Sequence, residues 1–123
     1  MLKPGTDETN VQFTDVLCDF CQHEWSEDRP MVEGHRGCMI CGNCLAAAYV
    51  DVINDQAGSA PADFTCTMCR ERPQDRAELQ RESEPAWQSP AYPEAVICRR
   101  CIKLAAGVLQ KDPDYGWKKP ASD

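Results

Sequence analysis

Cys18-Asp19-Phe20-Cys21 and Ile40-Cys41-Gly42-Asn43-Cys44 decide the fold of this chain, because each stretch holds two cysteines separated by two residues. Two thiolates at this spacing can bind one ion in a tight turn, with each sulfur about 2.3 Å from a tetrahedral zinc. Eight of the nine cysteines fall into such pairs: Cys18/Cys21, Cys41/Cys44, Cys66/Cys69 and Cys98/Cys101. One pair supplies half of a four-cysteine site. The chain therefore predicts two bound Zn²⁺ ions.

The size of the chain explains why metal would matter. It has 123 residues, and its 42% hydrophobic content includes the nine cysteines. Two modules of roughly 45–55 residues would bury too little surface to fold securely on apolar burial alone. Zinc binding in small finger peptides is worth about 10–16 kcal/mol, more than the roughly 5–15 kcal/mol that stabilises a typical domain. We therefore expect metal to decide whether the chain folds.

Composition also indicates the cellular compartment of the protein. The opening residues are polar and resemble no signal peptide, and no run of 18 apolar residues is present to cross a bilayer. An odd number of cysteines leaves one thiol unpaired in any disulfide scheme. A reducing compartment keeps thiols free. We therefore expect a cytoplasmic protein that makes no contact with the membrane.

Charge narrows the range of partners. The formal net charge is −7, and the 13 basic residues form no dense patch. Nucleic-acid binding needs a basic face that attracts phosphate, so this composition disfavours it and favours a protein partner. Catalysis is not favoured either, because four-cysteine zinc sites are closed whereas catalytic zinc keeps an open position.

The chain contains an internal repeat. Leu17-Cys18-Asp19-Phe20-Cys21 corresponds to Thr65-Cys66-Thr67-Met68-Cys69, and an alanine-rich stretch follows each second cysteine pair. We predict two four-cysteine zinc fingers in tandem, over residues 11–57 and 58–112. They are flanked by a disordered tail at residues 1–10 and a second tail at residues 113–123.

Hydrophobic periodicity predicts three regular elements. Residues 11–17 alternate apolar and polar side chains, as a short strand does. Residues 45–53 and 102–109 show helical spacing. The second helix must end by Asp112, because Pro113 follows. We expect the two helices to pack their apolar faces together, within one chain or across a homodimer.

The first finger resembles the N-terminal zinc domain of the unfoldase ClpX. The residues that carry the resemblance are Cys18-Asp19-Phe20-Cys21, Met31-Val32-Glu33-Gly34 and Ile40-Cys41-Gly42-Asn43-Cys44-Leu45. The resemblance implies a small zinc-stabilised α+β fold of two treble-clef-like fingers, in which each second cysteine pair opens a helix. It also implies a module that dimerises and docks substrates or adaptor proteins. The ATPase portion of that family has no counterpart here, so no unfolding activity is implied.

A RING finger is the alternative resemblance. In that scheme Cys18, Cys21, Cys41 and Cys44 hold one zinc, and the second site is His35, Cys38, Cys66 and Cys69. The fold would be a RING-like cross-brace with an added C-terminal helix. The function implied is a ubiquitin-ligase-like module that recruits a conjugating enzyme. We favour the tandem scheme, because it uses every cysteine pair and explains the repeated helix.

Three apolar side chains beside the cysteines are candidates for partner binding. Phe20 and Met68 each lie between the two cysteines of a pair, and Trp25 follows the first pair closely. Rigid apolar side chains left partly exposed are the usual anchors of an interface. We therefore expect all three on the surface that binds a partner.

Overall fold

Two short antiparallel hairpins, each followed by a helix, make up most of the regular structure. The computed structural model describes residues 1–122. The elements are β1 (Met31–Glu33), β2 (Met39–Cys41), α1 (Gly42–Tyr49), α2 (Pro73–Glu78), β3 (Ala86–Gln88), β4 (Val96–Cys98) and α3 (Arg99–Lys111). The small α+β class and the tandem arrangement of two zinc fingers are confirmed.

The two hairpins share one register. In the first hairpin (β1–β2) Met31 pairs with Cys41, and in the second hairpin (β3–β4) Ala86 pairs with Cys98. Each second strand therefore ends on a cysteine that immediately precedes a helix. The first amides of a helix have no partner within it and favour negative charge. This arrangement places each second cysteine pair where amide groups can stabilise a thiolate.

The helices α1 and α3 end differently. After Tyr49, α1 continues as one π-helical turn over Val50–Asn54. In α3 the buried residues are Ile102, Ala105, Ala106 and Leu109, the spacing of one helical face. This helix ends at Lys111, before the proline that the sequence analysis identified as its limit.

One hydrophobic core serves both fingers. The α1 helix packs against α3 within the chain. Ile40 and Leu45 of the first finger and Ile97 and Ile102 of the second are fully buried in a single cluster. Neither finger has a separate core of its own among the described residues, so folding of one depends on contacts with the other.

Each cysteine turn is covered by the hairpin of the other finger. We call residues 18–21 the first knuckle and residues 66–69 the second knuckle. The Phe20 ring lies 5.8 Å from the Trp87 ring, and the Ser89 hydroxyl donates to the Phe20 carbonyl. In return the His35 amide donates to the Met68 carbonyl at 2.7 Å. The fingers are therefore joined by two reciprocal contacts.

The strand predicted for residues 11–17 is wrong. Phe13–Asp15 forms a 3-10 turn instead, and only isolated bridges follow it, from Val16 to Leu2 and from Leu17 to Glu24. The alternating pattern has no neighbouring strand long enough to pair with. Phe13 is left exposed beside Trp25, with the two ring centroids 4.8 Å apart.

Both terminal segments make hydrogen bonds to the fingers. The Met1 amino group donates to the Leu17 carbonyl at 2.8 Å and forms an ion pair with Asp19 at 3.0 Å. At the other end, the Trp117 indole donates to the Gly42 carbonyl at 3.0 Å. The last residue of the segment 113–123, Asp123, lies outside the described residues. Within residues 1–122, no helix combines the length and apolar character that crossing a bilayer requires.

Candidate metal centres

The structure gathers eight of the cysteines into two separate clusters of four. The first cluster is Cys18, Cys21, Cys41 and Cys44, and the second cluster is Cys66, Cys69, Cys98 and Cys101. Within each cluster the sulfur atoms all lie within 4.8 Å of one another. All nine cysteines are free thiols. Each cluster thus offers the four sulfur ligands of a closed, tetrahedral structural zinc site.

The two knuckles repeat the same backbone geometry. The Gln22 amide donates to the Cys18 carbonyl at 2.8 Å, and the Arg70 amide donates to the Cys66 carbonyl at 2.9 Å. Gln22 and Arg70 have φ values of 59° and 65°, in the left-handed region. This turn brings the two sulfurs of each knuckle to the same side.

A polar side chain ties each knuckle to its own hairpin. Asp19 accepts a hydrogen bond at 2.7 Å from the Met39 amide, at the start of β2. Thr67, the equivalent residue, accepts one at 3.0 Å from the Val96 amide, at the start of β4. This pair was not among the predicted site residues. Its signal was a hydrogen-bond acceptor directly after the first cysteine of each knuckle.

Amide groups surround the first cluster. Cys18 Sγ accepts from the Cys41 amide at 3.3 Å and from the Phe20 amide at 3.4 Å. Cys41 Sγ accepts from the Cys44 amide at 3.5 Å, at the start of α1. In the second cluster, Cys66 Sγ accepts from the Cys98 amide at 3.4 Å. These donors stabilise sulfur in its charged form, which is the form that binds metal.

An arginine also reaches the first cluster. Arg29 Nη1 lies 3.5 Å from Cys41 Sγ and 3.8 Å from Cys21 Sγ. Arg29 lies in the spacer between the two cysteine pairs and belongs to no motif, so no sequence pattern predicts this contact. Its positive charge is opposite in sign to the charge of the thiolates and therefore stabilises them.

Hydrogen bonds between the thiols drive their pKa values apart. The bond with Cys41 raises the pKa of the Cys18 thiol to about 12, whereas the bond with Cys18 lowers the pKa of Cys41. In the second cluster, the bond with Cys101 lowers the pKa of Cys66 to about 7 and the bond with Cys66 raises that of Cys101. Four thiolates this close can all be charged only beside a cation. The donor set and spacing fit Zn²⁺ in both clusters.

The alternative second site of the RING scheme does not form. Cys66 and Cys69 lie with Cys98 and Cys101, and His35 and Cys38 belong to neither cluster. Cys38 is buried, and this burial raises the pKa of its thiol. It packs in the core as a small apolar residue. The structure thus gives the ligand grouping of the tandem scheme.

The expectation that the side chains of Phe20 and Met68 are exposed is wrong. Phe20 is 1% exposed and Met68 is 5% exposed. The reason is the reciprocal packing of the fingers, which covers each knuckle with the opposite hairpin. Trp25 is half-buried beside Phe13, so it keeps more of its surface accessible than the other two.

Comparison with known proteins agrees with the geometry of the first cluster. No curated protein and no solved structure matches the chain significantly. The family model of the ClpX C4-type zinc finger matches residues 16–53, a range that contains all four cysteines of the first cluster. The first finger is therefore similar to the ClpX C4-type zinc finger, and the second finger repeats its ligand arrangement.

Proposed function

We propose that this protein is a cytoplasmic, non-catalytic adaptor, in which two structural zinc ions hold a protein-binding surface in place. The cytoplasm would keep its nine cysteines reduced, including the eight that form the two clusters. The zinc sites would keep the backbone rigid, and the partner protein would bind at the surface.

The observation that carries the proposal is an exposed apolar pair on α3. Leu104 is 63% exposed and Val108 is 61% exposed. They lie four residues apart, so they are neighbours on the same face of the helix. The opposite face of α3 is already used in the shared core. Adjacent exposed apolar side chains of this kind are typical of a surface that binds another protein.

A groove runs beside this pair. It has a volume of about 210 Å³ and lies between α3, the second knuckle and the β1 edge of the first hairpin. Its apolar lining includes Val32, Met68, Leu104 and Val108, and Cys101 of the second cluster forms part of the wall. Metal binding at Cys101 would therefore fix the groove directly. A preformed groove lowers the entropy lost when a partner binds.

Two further features support a protein partner. The ClpX-type zinc domain that the first finger resembles implies docking of substrates or adaptor proteins. The formal charge of −7 would attract basic proteins and repel nucleic acid. Zinc sites of four thiolates would add to the negative charge.

Substitution of the exposed pair tests the proposal. We expect Leu104→Glu to abolish capture of proteins that the wild type binds in an extract of its own cells, measured by quantitative mass spectrometry. For the main captured protein, purified, calorimetry should show binding weakened about thirtyfold or more, the loss expected for an interface hot spot of about 2 kcal/mol.

The matched control is Leu79→Glu. Leu79 is 58% exposed but lies at the end of α2, away from the groove. This variant should bind as the wild type does, and both variants should keep their zinc and helicity. If Leu104→Glu binds normally, or if both variants lose the same proteins, the groove is not the docking surface.

A further inference from the structure

The first cluster has a guanidinium neighbour that no carboxylate shares. Arg29 contacts the sulfurs of Cys21 and Cys41 at 3.8 and 3.5 Å. No Asp or Glu within residues 1–122 forms an ion pair with Arg29. Its positive charge is thus directed to the thiolates. Together with three amide donors, it gives the first cluster a dense shell of hydrogen bonds.

The arginine beside the second cluster is shared with a carboxylate. Arg100 lies beside Cys69, but its guanidinium donates at 3.3 Å to the Glu71 carboxylate. Arg81 pairs with the same carboxylate. The Cys98 amide donates to Cys66 Sγ at 3.4 Å, and the amides of Cys69 and Glu71 donate to Cys66 and Cys69. The charge that could have covered the second cluster is therefore shared with an acid.

The two repeats also differ in charge at one equivalent position. Arg29 precedes β1 by two residues, and the hairpin registers match β1 with β3. The residue two positions before β3 is Glu84. The first finger thus carries a cation where the second finger carries an anion.

This asymmetry has a chemical consequence. Zinc with four thiolates carries two net negative charges, which makes the sulfurs nucleophilic and readily protonated. Hydrogen bonds and a nearby cation reduce the electron density on sulfur. Outer-shell partners of metal ligands typically change metal affinity by about 10–100-fold.

We propose that Arg29 is a positioning residue that neutralises the first zinc site and makes the two sites unequal. The first site is the inert one and holds its zinc longer. The second site is the reactive one, so its thiolates meet an electrophile first and its zinc leaves first. The second finger is then the part of the molecule that thiol-reactive compounds modify first.

N-ethylmaleimide tests the proposal on the zinc-loaded protein. The sulfur adds to the carbon–carbon double bond of the maleimide, and the adjacent carbon takes a proton from water, which leaves a thioether. Zinc release is followed with a colorimetric chelator, and the modified cysteines are mapped by mass spectrometry. For the wild type we expect two phases, with Cys66, Cys69, Cys98 and Cys101 modified in the fast one.

Arg29→Gln should speed the slow phase about tenfold or more while leaving the fast phase unchanged. Arg29→Lys, which keeps the charge but not the planar fork, should lie between the two. Arg36→Gln is the matched control, because Arg36 is an exposed cation of the same finger with no hydrogen bond to a sulfur. It should release both zinc ions as the wild type does.

The proposal is overturned if the wild type loses both zinc ions at one rate, or if the first cluster reacts first. It is also overturned if Arg29→Gln leaves the slow phase unchanged, or if Arg36→Gln speeds it equally. Should Arg29→Gln fail to fold, the order of modification in the wild type still decides. An Arg29→Gln protein that holds zinc only at the second cluster would support the proposal.

Discussion

Phe20 and Met68 show how one position in a repeat can serve the fold. Each lies between the two cysteines of a knuckle, and each is buried by the hairpin of the opposite finger. A metal-bound turn holds such a side chain at a fixed place on the backbone. In this protein that rigidity is used to join the two fingers.

We expect Phe20→Ala to lower the free energy of unfolding by about 3–5 kcal/mol, the usual loss when a buried phenylalanine is removed. The ring packs against Trp87, and the substitution would leave a cavity between the fingers. Urea denaturation of the zinc-loaded protein, followed by circular dichroism, measures the change. Phe13→Ala is the control, because Phe13 is exposed and its removal should cost far less. Equal stability of Phe20→Ala and wild type would show that the Phe20 contact does not join the fingers.

Gly34 gives a second test of the same packing. A Cβ atom at this position would lie 2.8 Å from both Met68 Cε and the Met68 carbonyl oxygen. We expect Gly34→Ala to destabilise the protein by about 1–3 kcal/mol, as overpacking does. Gly107 lies in α3 with no atom within 4 Å of such a Cβ, so Gly107→Ala should stabilise by roughly 0.5–1 kcal/mol. The two denaturation midpoints should move in opposite directions; a shift in the same direction would contradict the packing described between Gly34 and Met68.

Several residue roles could not be read from the sequence. The number of metal sites could be predicted, because two cysteines separated by two residues bind an ion through the geometry of a short stretch of backbone. The burial of Phe20 depends on a hairpin nearly 70 residues away along the chain, and no local pattern reports it. Arg29 reaches the sulfurs through the fold of the spacer, and no local pattern distinguishes it from an ordinary surface charge.

At the scale of the elements, the hairpin–helix unit is what repeats. Both helices begin directly after a cysteine that ends a strand, and both second strands place that cysteine against the first strand in the same register. The helices were predictable, because apolar spacing and breakers such as Pro113 act locally. The strand expected at residues 11–17 was wrong, because a strand also needs a partner and this segment has only isolated bridges.

We expect the double variant Cys98→Ser with Cys101→Ser to lose one zinc ion and to unfold α3. The second cluster would keep only two of its four sulfurs, and α3 begins at this pair. Because α3 packs on α1, the first finger should also become less stable. Zinc content and thermal denaturation measure both effects. A variant that keeps two zinc ions and its α3 helicity would contradict the grouping of Cys98 and Cys101 with Cys66 and Cys69.

At the scale of the whole molecule, the chain behaves as two fingers joined into one folding unit. A single hydrophobic cluster contains residues of both fingers, and the helices and knuckles make contacts across the boundary predicted at residues 57 and 58. Two of the exposed large apolar side chains, Leu104 and Val108, are neighbours on α3 and line a groove, which is why we propose that face for partner binding.

Metal removal should therefore unfold the protein as a whole. Zinc binding is worth about 10–16 kcal/mol in small fingers, and the shared core is small. We expect excess chelator to abolish the helical circular dichroism signal and added zinc to restore it. A chain that stays helical after zinc is removed would contradict a fold that depends on metal.

Native mass spectrometry of the purified protein tests the central claim most directly, since it counts bound zinc ions in the intact chain. The two clusters predict two zinc ions in the wild type and two in His35→Ala, because His35 belongs to neither cluster. They predict one zinc ion when Cys18 and Cys21, or Cys66 and Cys69, are replaced by serine. Loss of a zinc ion from His35→Ala, or a wild-type count other than two, would contradict the account.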